Sequence, residues 1–139
     1  MEAEGLSEQA NFYEDRGLPQ ETANHIRACN SETKGRTRCG ARYKCVGKRR
    51  SGIIDTSDGN STGGHALDLM AMKRADITDL YVMRLGADVV YFIDPECYKR
   101  FCHACIEVFD EAGHEMVLEM CNYENLTFCS GYFWRVGDG

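Results

Sequence analysis

Eight cysteines in 139 residues constrain what this chain can fold into more than any other feature. An even count at several times the usual frequency is the arithmetic of four disulfides, and disulfides persist in oxidising compartments. Cys29, Cys39 and Cys45 lie in the N-terminal half; Cys97, Cys102, Cys105, Cys121 and Cys129 lie in the C-terminal half. Both groups are odd, so complete pairing within one chain requires a bridge between the halves. Such a bridge closes a loop of about 50 residues and contributes roughly 4 kcal/mol in the chain-entropy account. Zinc is the competing use of so many thiols, but it favours paired short spacings, and only Cys102-His103-Ala104-Cys105 has one. These points predict a secreted, extracellular, disulfide-bonded protein. Its opening reads as a mature secreted N-terminus behind an initiator Met. Two sequons, at Asn60 and Asn125, are candidate glycosylation sites.

Hydrophobic residues make up 43% of the chain, enough for a core and too many for a disordered segment. The longest apolar stretch, Val89 to Ile93, is far too short for a membrane span. Pro19 and Glu21 open a helix that runs to Cys29. The stretch from Ser51 to Gly64 is nearly all turn formers and reads as a loop. Calcium is excluded there, because the twelfth position from Asp55 is Ala66 and not Glu. Asp76 reads as the N-cap of a helix stopped by Gly86. Asp94-Pro95-Glu96 then starts the strongest helical signal, with Cys97, Tyr98, Phe101, Cys102, Cys105, Ile106 and Phe109 on one wide apolar stripe. Met116, Val117, Met120 and Cys121 begin a second stripe, and Tyr132, Phe133 and Trp134 are expected to cover the core. The expected fold is all-α or mainly α: a small disulfide-stapled helical domain of two related halves. Residues 1–50 form an N-terminal helical half with a basic segment, 51–64 a loop, and 65–139 a C-terminal helical half sharing one core.

No catalytic residue, cofactor site or metal site stands out. Histidines are few and scattered, and there is no Gly-rich phosphate loop, HExxH or GxSxG. The CxxC at Cys102 and Cys105 invites a thiol–disulfide oxidoreductase reading, but it falls about two turns into its helix, where the dipole no longer lowers a thiol's pKa. Net charge is −6, unevenly spread. Lys34, Arg36, Arg38, Arg42, Lys44, Lys48, Arg49 and Arg50 follow one another with no acid between them, whereas acids dominate beyond Ile106. Either the two regions neutralise each other, or Arg36, Arg38, Arg42, Lys44, Lys48, Arg49 and Arg50 form a basic docking patch. Gly47-Lys48-Arg49-Arg50 also has the form of a processing site. Nucleic acid is an unexpected partner, because Tyr43 is the patch's one aromatic residue and the protein is acidic.

Two cysteine–tyrosine–cysteine units, Cys39, Tyr43 and Cys45, then Cys97, Tyr98 and Cys102, resemble those of the bicycle proteins, salivary effectors of gall-forming aphids. The resemblance implies a secreted effector or ligand that binds a macromolecular target, protein or other, of a host or neighbouring cell, without catalysis. The competing readings are a Kazal-like secreted protease inhibitor and a cystine-knot-type growth factor.

Overall fold

A computed structural model describes residues 3–49, 52, 53 and 55–134, and divides the chain into two compact units, Met1–Gly59 and Asn60–Gly139. Helices and antiparallel hairpins alternate along it, so the fold is mixed α and β. The expectation of a mainly helical, disulfide-stapled domain is corrected on both counts. Among the described residues there are three two-stranded sheets, and all eight cysteines are thiols with no disulfide among them.

In the first unit, helix α1 (Ala3–Asp15) packs on α2 (Gln20–Ser31). Gly17, at φ +96°, ends α1: its N–H reaches the Glu14 carbonyl and that of Leu18 reaches Tyr13. That is the double bond of a Schellman cap, which needs a left-handed residue. Leu6, Ala10, Ala23 and Ile26 are buried, at helical spacing within each helix. Arg27 ties the two helices together through Glu14 and Asn11. Strands β1 (Glu32–Arg36) and β2 (Arg42–Val46) follow as a ribbon closed by Thr37, whose backbone and hydroxyl both bond to Ala41. Every residue of β2 is exposed.

Helix α3 (Thr56–Ala75) begins in the first unit and occupies most of the stretch that composition marks as a loop. Two of its glycines, Gly59 and Gly64, leave room for arginine side chains. At Gly59 a Cβ would collide with the Arg49 guanidinium, and at Gly64 with that of Arg84. Each arginine pairs with an aspartate four residues from its glycine, Asp55 and Asp68 respectively. Asp76 is not an N-cap. Its φ of 53° makes it the left-handed residue that ends α3, with Ile77 N–H bonded to Met72 O at 3.0 Å.

Residues 81–92 form a hairpin, where a helix is expected as far as Gly86 and Val89 to Ile93 fits a short strand or a turn of helix equally. Strands β3 (Tyr81–Leu85) and β4 (Asp88–Phe92) pair from Tyr81↔Phe92 to Leu85↔Asp88, leaving Gly86 and Ala87 as a two-residue turn. Gly86 has φ +63°, suiting the first position of a primed turn. The β-branched and aromatic residues here fit a pleated surface better than a helix. Helix α4 (Tyr98–Glu111) buries Phe101, Ala104, Cys105, Val108 and Phe109 against Ala71, Ala75 and Ile77. Each of the two phenylalanines is worth about 2–3 kcal/mol of transfer free energy. Gly113 caps α4 as Gly17 caps α1. Among the described residues no second α-helix follows: residues 114–122 hold no helix or strand, then come a 3₁₀ turn (Tyr123–Asn125) and the short strands β5 (Thr127–Phe128) and β6 (Gly131–Tyr132). Trp134 and Tyr132 are 82% and 70% exposed, so they do not cover the core.

Candidate functional site

The β3–β4 hairpin is the most firmly held chemical element of the second unit. Asp68 is fully buried on α3 and receives Arg84 bidentately, Nε to Oδ2 at 2.9 Å and Nη2 to Oδ1 at 2.7 Å. The Tyr91 hydroxyl accepts from Arg84 Nη2 at 3.1 Å and donates to Asp68 Oδ1 at 2.6 Å. Burial, then the Asp68 carboxylate, push the Tyr91 phenol far above its ordinary range, so it stays a donor. Arg84 belongs to β3 and Tyr91 to β4, so this one network fixes both strands to α3. Closer to the turn, the Gly86 N–H donates to Ser61 Oγ at 2.7 Å.

Beyond these anchors the hairpin presents Asp88, exposed at the start of β4. A small groove beside it is lined by Asp88, Val89, Thr127, Phe128, Cys129 and Ser130. Cys129 and Ser130 both hold φ above +50° in the β5–β6 turn. Desolvation, and next the adjacent Asp88 carboxylate, raise the Cys129 thiol's pKa. Sequence reasoning passed over Asp68, Arg84, Asp88 and Tyr91. The available signal was an aspartate inside the apolar run from Leu67 to Met72, four residues after a glycine.

The basic segment resolves into three groups. Lys34 and Lys44 face each other across the ribbon and share Glu32, at 2.7 and 2.5 Å. Their hydrogen bonds hold the Glu32 carboxyl down to about 2. Arg49 is buried with Asp55 and Gln9, inside the first unit's core and not on a docking face. Arg36, Arg38 and Arg42 stand exposed at the ribbon's outer end, and Lys48 is exposed beyond β2. Arg50 lies outside the described residues.

The other predicted site residues do not converge. Cys39 sits in the ribbon turn, its thiol lowered by the Thr37 hydroxyl and then by the Ala41 backbone. Cys105 is enclosed in the second unit's core, where burial raises its thiol to about 11. Cys102 hydrogen-bonds Tyr98, one turn earlier, and raises that phenol's pKa. Cys29 lies 3.5 Å from His25, Cys97 accepts from Arg100, and Cys45 and Cys121 are exposed. No disulfide joins any of these cysteines. Asn60 is part of α3, and Asn125 is exposed in the 3₁₀ turn. Among the described residues no three His, Cys, Asp or Glu side chains gather where they could hold a metal ion, and no helix is long and apolar enough to cross a membrane.

The sequence profile of one family, described as viral RNA dependent RNA polymerase, matches residues 7–138. No curated protein matches the chain. The profile match overturns the resemblance to aphid salivary effectors. It also overturns the non-catalytic secreted effector and the inhibitor, growth-factor and oxidoreductase alternatives, because the matched family is one of polymerase enzymes.

Proposed function

Since this chain belongs to the viral RNA-dependent RNA polymerase family, we propose that it acts in RNA-templated RNA synthesis. The match across residues 7–138 is the observation that carries the proposal. In that reaction a 3′-hydroxyl attacks the α-phosphorus of a nucleoside triphosphate, the bond to the β-phosphate oxygen breaks, and pyrophosphate leaves. On this reading nucleic acid becomes the expected partner.

The chain's part is positioning. A reacting group is useful only if its supporting shell holds it within a fraction of an ångström. The Asp68–Arg84–Tyr91 network and the Gly86–Ser61 bond do this for the hairpin that ends in Asp88. Polymerases carry out the displacement between two metal ions, and magnesium is bound by one or two carboxylates together with substrate phosphates. The described residues do not fit such a site. Asp88 has a thiol, Cys129, as its neighbour in the groove, and thiols suit soft metals and not magnesium.

The test is primer extension on an RNA template, with all four nucleoside triphosphates and magnesium, read on a denaturing gel. Template-dependent extension, reduced at least tenfold by Asp88→Ala with the fold retained, is expected. Extension indifferent to Asp88→Ala would remove the hairpin end from the site. A protein that neither extends a primer nor binds RNA would overturn the proposal.

A further inference from the structure

The outer end of the β1–β2 ribbon carries an electrostatic conflict that the protein does not resolve. Register places Arg36 directly opposite Arg42, on the face that also carries the opposed pair Lys34 and Lys44. Directly opposed residues share a face with Cβ atoms about 5 Å apart, and like charges there are destabilising. At the inner pair the conflict is settled internally by Glu32. At the outer pair it is not: Arg36 and Arg42 have no acid partner among the described residues. The Arg36 guanidinium instead extends to within about 3.9 Å of where a Gly40 side chain would begin, toward the turn that adds Arg38. Three exposed arginines thus belong to this ribbon end in a protein whose net charge is −6.

We infer that this ribbon end is a docking surface for the phosphodiester backbone of RNA, with Arg36, Arg38 and Arg42 each neutralising a phosphate. Guanidinium matches phosphate bidentately, and a like-charged pair kept apart in the free protein is relieved when a polyanion lies across it. Tyr43, the ribbon's aromatic residue, is out of register with this pair. It pairs with Gly35, and its ring occupies the space above that glycine, so the contact is electrostatic and indifferent to base sequence. The identity of the polyanion rests on the polymerase-family reading; the placement of the surface does not.

The experiment measures binding of a fluorescent single-stranded RNA by anisotropy across a KCl series, for the full chain and for Arg36→Ala/Arg42→Ala. Each phosphate contact contributes about 0.7 to the slope of log K against log [KCl] for a single strand. The double variant should therefore lose about 1.4 from that slope, and Arg36→Lys/Arg42→Lys should keep most of it. The free alanine variant should melt no lower than the parent, since a repulsion has been removed. Unchanged affinity and slope in a variant that has kept its fold would overturn the surface while leaving the family reading intact. Displacement of the RNA by poly-aspartate of equal charge as readily as by unlabelled RNA would overturn RNA as the occupant. No RNA binding by the parent chain at 50 mM KCl would sink both.

Discussion

Replacing Arg84 by Met would leave the Asp68 carboxylate in a dry interior with one hydrogen-bond donor instead of three. Asp68 has no exposed surface, and the Arg84 side chain is 7% exposed. Breaking a buried pair by removing one partner costs ~3–5 kcal/mol, whereas removing both can be nearly neutral. Arg84→Met/Asp68→Leu should therefore recover most of the loss, retaining about 1–2 kcal/mol for imperfect filling of the space over Gly64. Urea unfolding followed by far-UV circular dichroism reads both. With a slope of ~1.5 kcal/mol/M, the single variant should lower the midpoint by about 2–3 M and the double by about 1 M. The pair also holds both strands of the hairpin, so the single variant should lose RNA extension even where it is still folded. The reasoning fails if Arg84→Met costs under about 1 kcal/mol, as a solvated surface pair would, or if the double variant is as unstable as the sum of its singles.

Gly64→Ala should destabilise by ~1–3 kcal/mol through collision with the Arg84 guanidinium, although Gly→Ala in an open helix gains about 1 kcal/mol; a rise in melting temperature would count against the packing described. Denatured, unreduced protein should titrate eight thiols, and mass spectrometry after brief alkylation near neutral pH should find Cys39 modified early and Cys105 last. Glu32 is held down to about 2 by Lys34 and Lys44, so its contribution is complete above the ordinary carboxylate pKa and lost as pH falls through about 2. Carboxyl NMR should show it titrating well below the other glutamates, and Lys34→Ala/Lys44→Ala should restore an ordinary value.

Helices were legible in the sequence where a single physical rule decided them. Pro19 with Glu21, and the repeat of Phe101, Cys105 and Phe109, mark α2 and the buried face of α4 because helix starts and 3.6-residue stripes have few rivals. The hairpins were not legible in the same way. The stretch from Ile77 to Phe92 supports a helical reading through Ile77, Leu80 and Tyr81, and a strand reading through Val89 and Val90. What decides between them is Arg84 and Tyr91 reaching the same buried Asp68, a long-range fact. The beginning of α3 is hidden in the sequence for a related reason. Gly59, Gly63 and Gly64 suit a turn on local propensity, yet Gly59 and Gly64 are required by guanidinium groups arriving from elsewhere in the chain.

The two strongest compositional signals, cysteine count and charge clustering, fail in opposite ways. Parity of cysteines argues for bridges only if the thiols are placed to meet, and here each has its own surroundings: Cys39 beside a hydroxyl, Cys105 in a core, Cys129 beside a carboxylate. A count carries no information about placement. Charge clustering was informative, but as one run it merged three different situations. Arg49 is buried with an aspartate, Lys34 and Lys44 are neutralised by Glu32, and Arg36 with Arg42 is left in repulsion. Strand register separates the two pairs on the ribbon, and burial against Asp55 sets Arg49 apart. A basic patch is therefore better judged by the cations the protein fails to neutralise than by how many it contains, and the sharpest such conflict is at the ribbon's end, where Arg36 stands opposite Arg42.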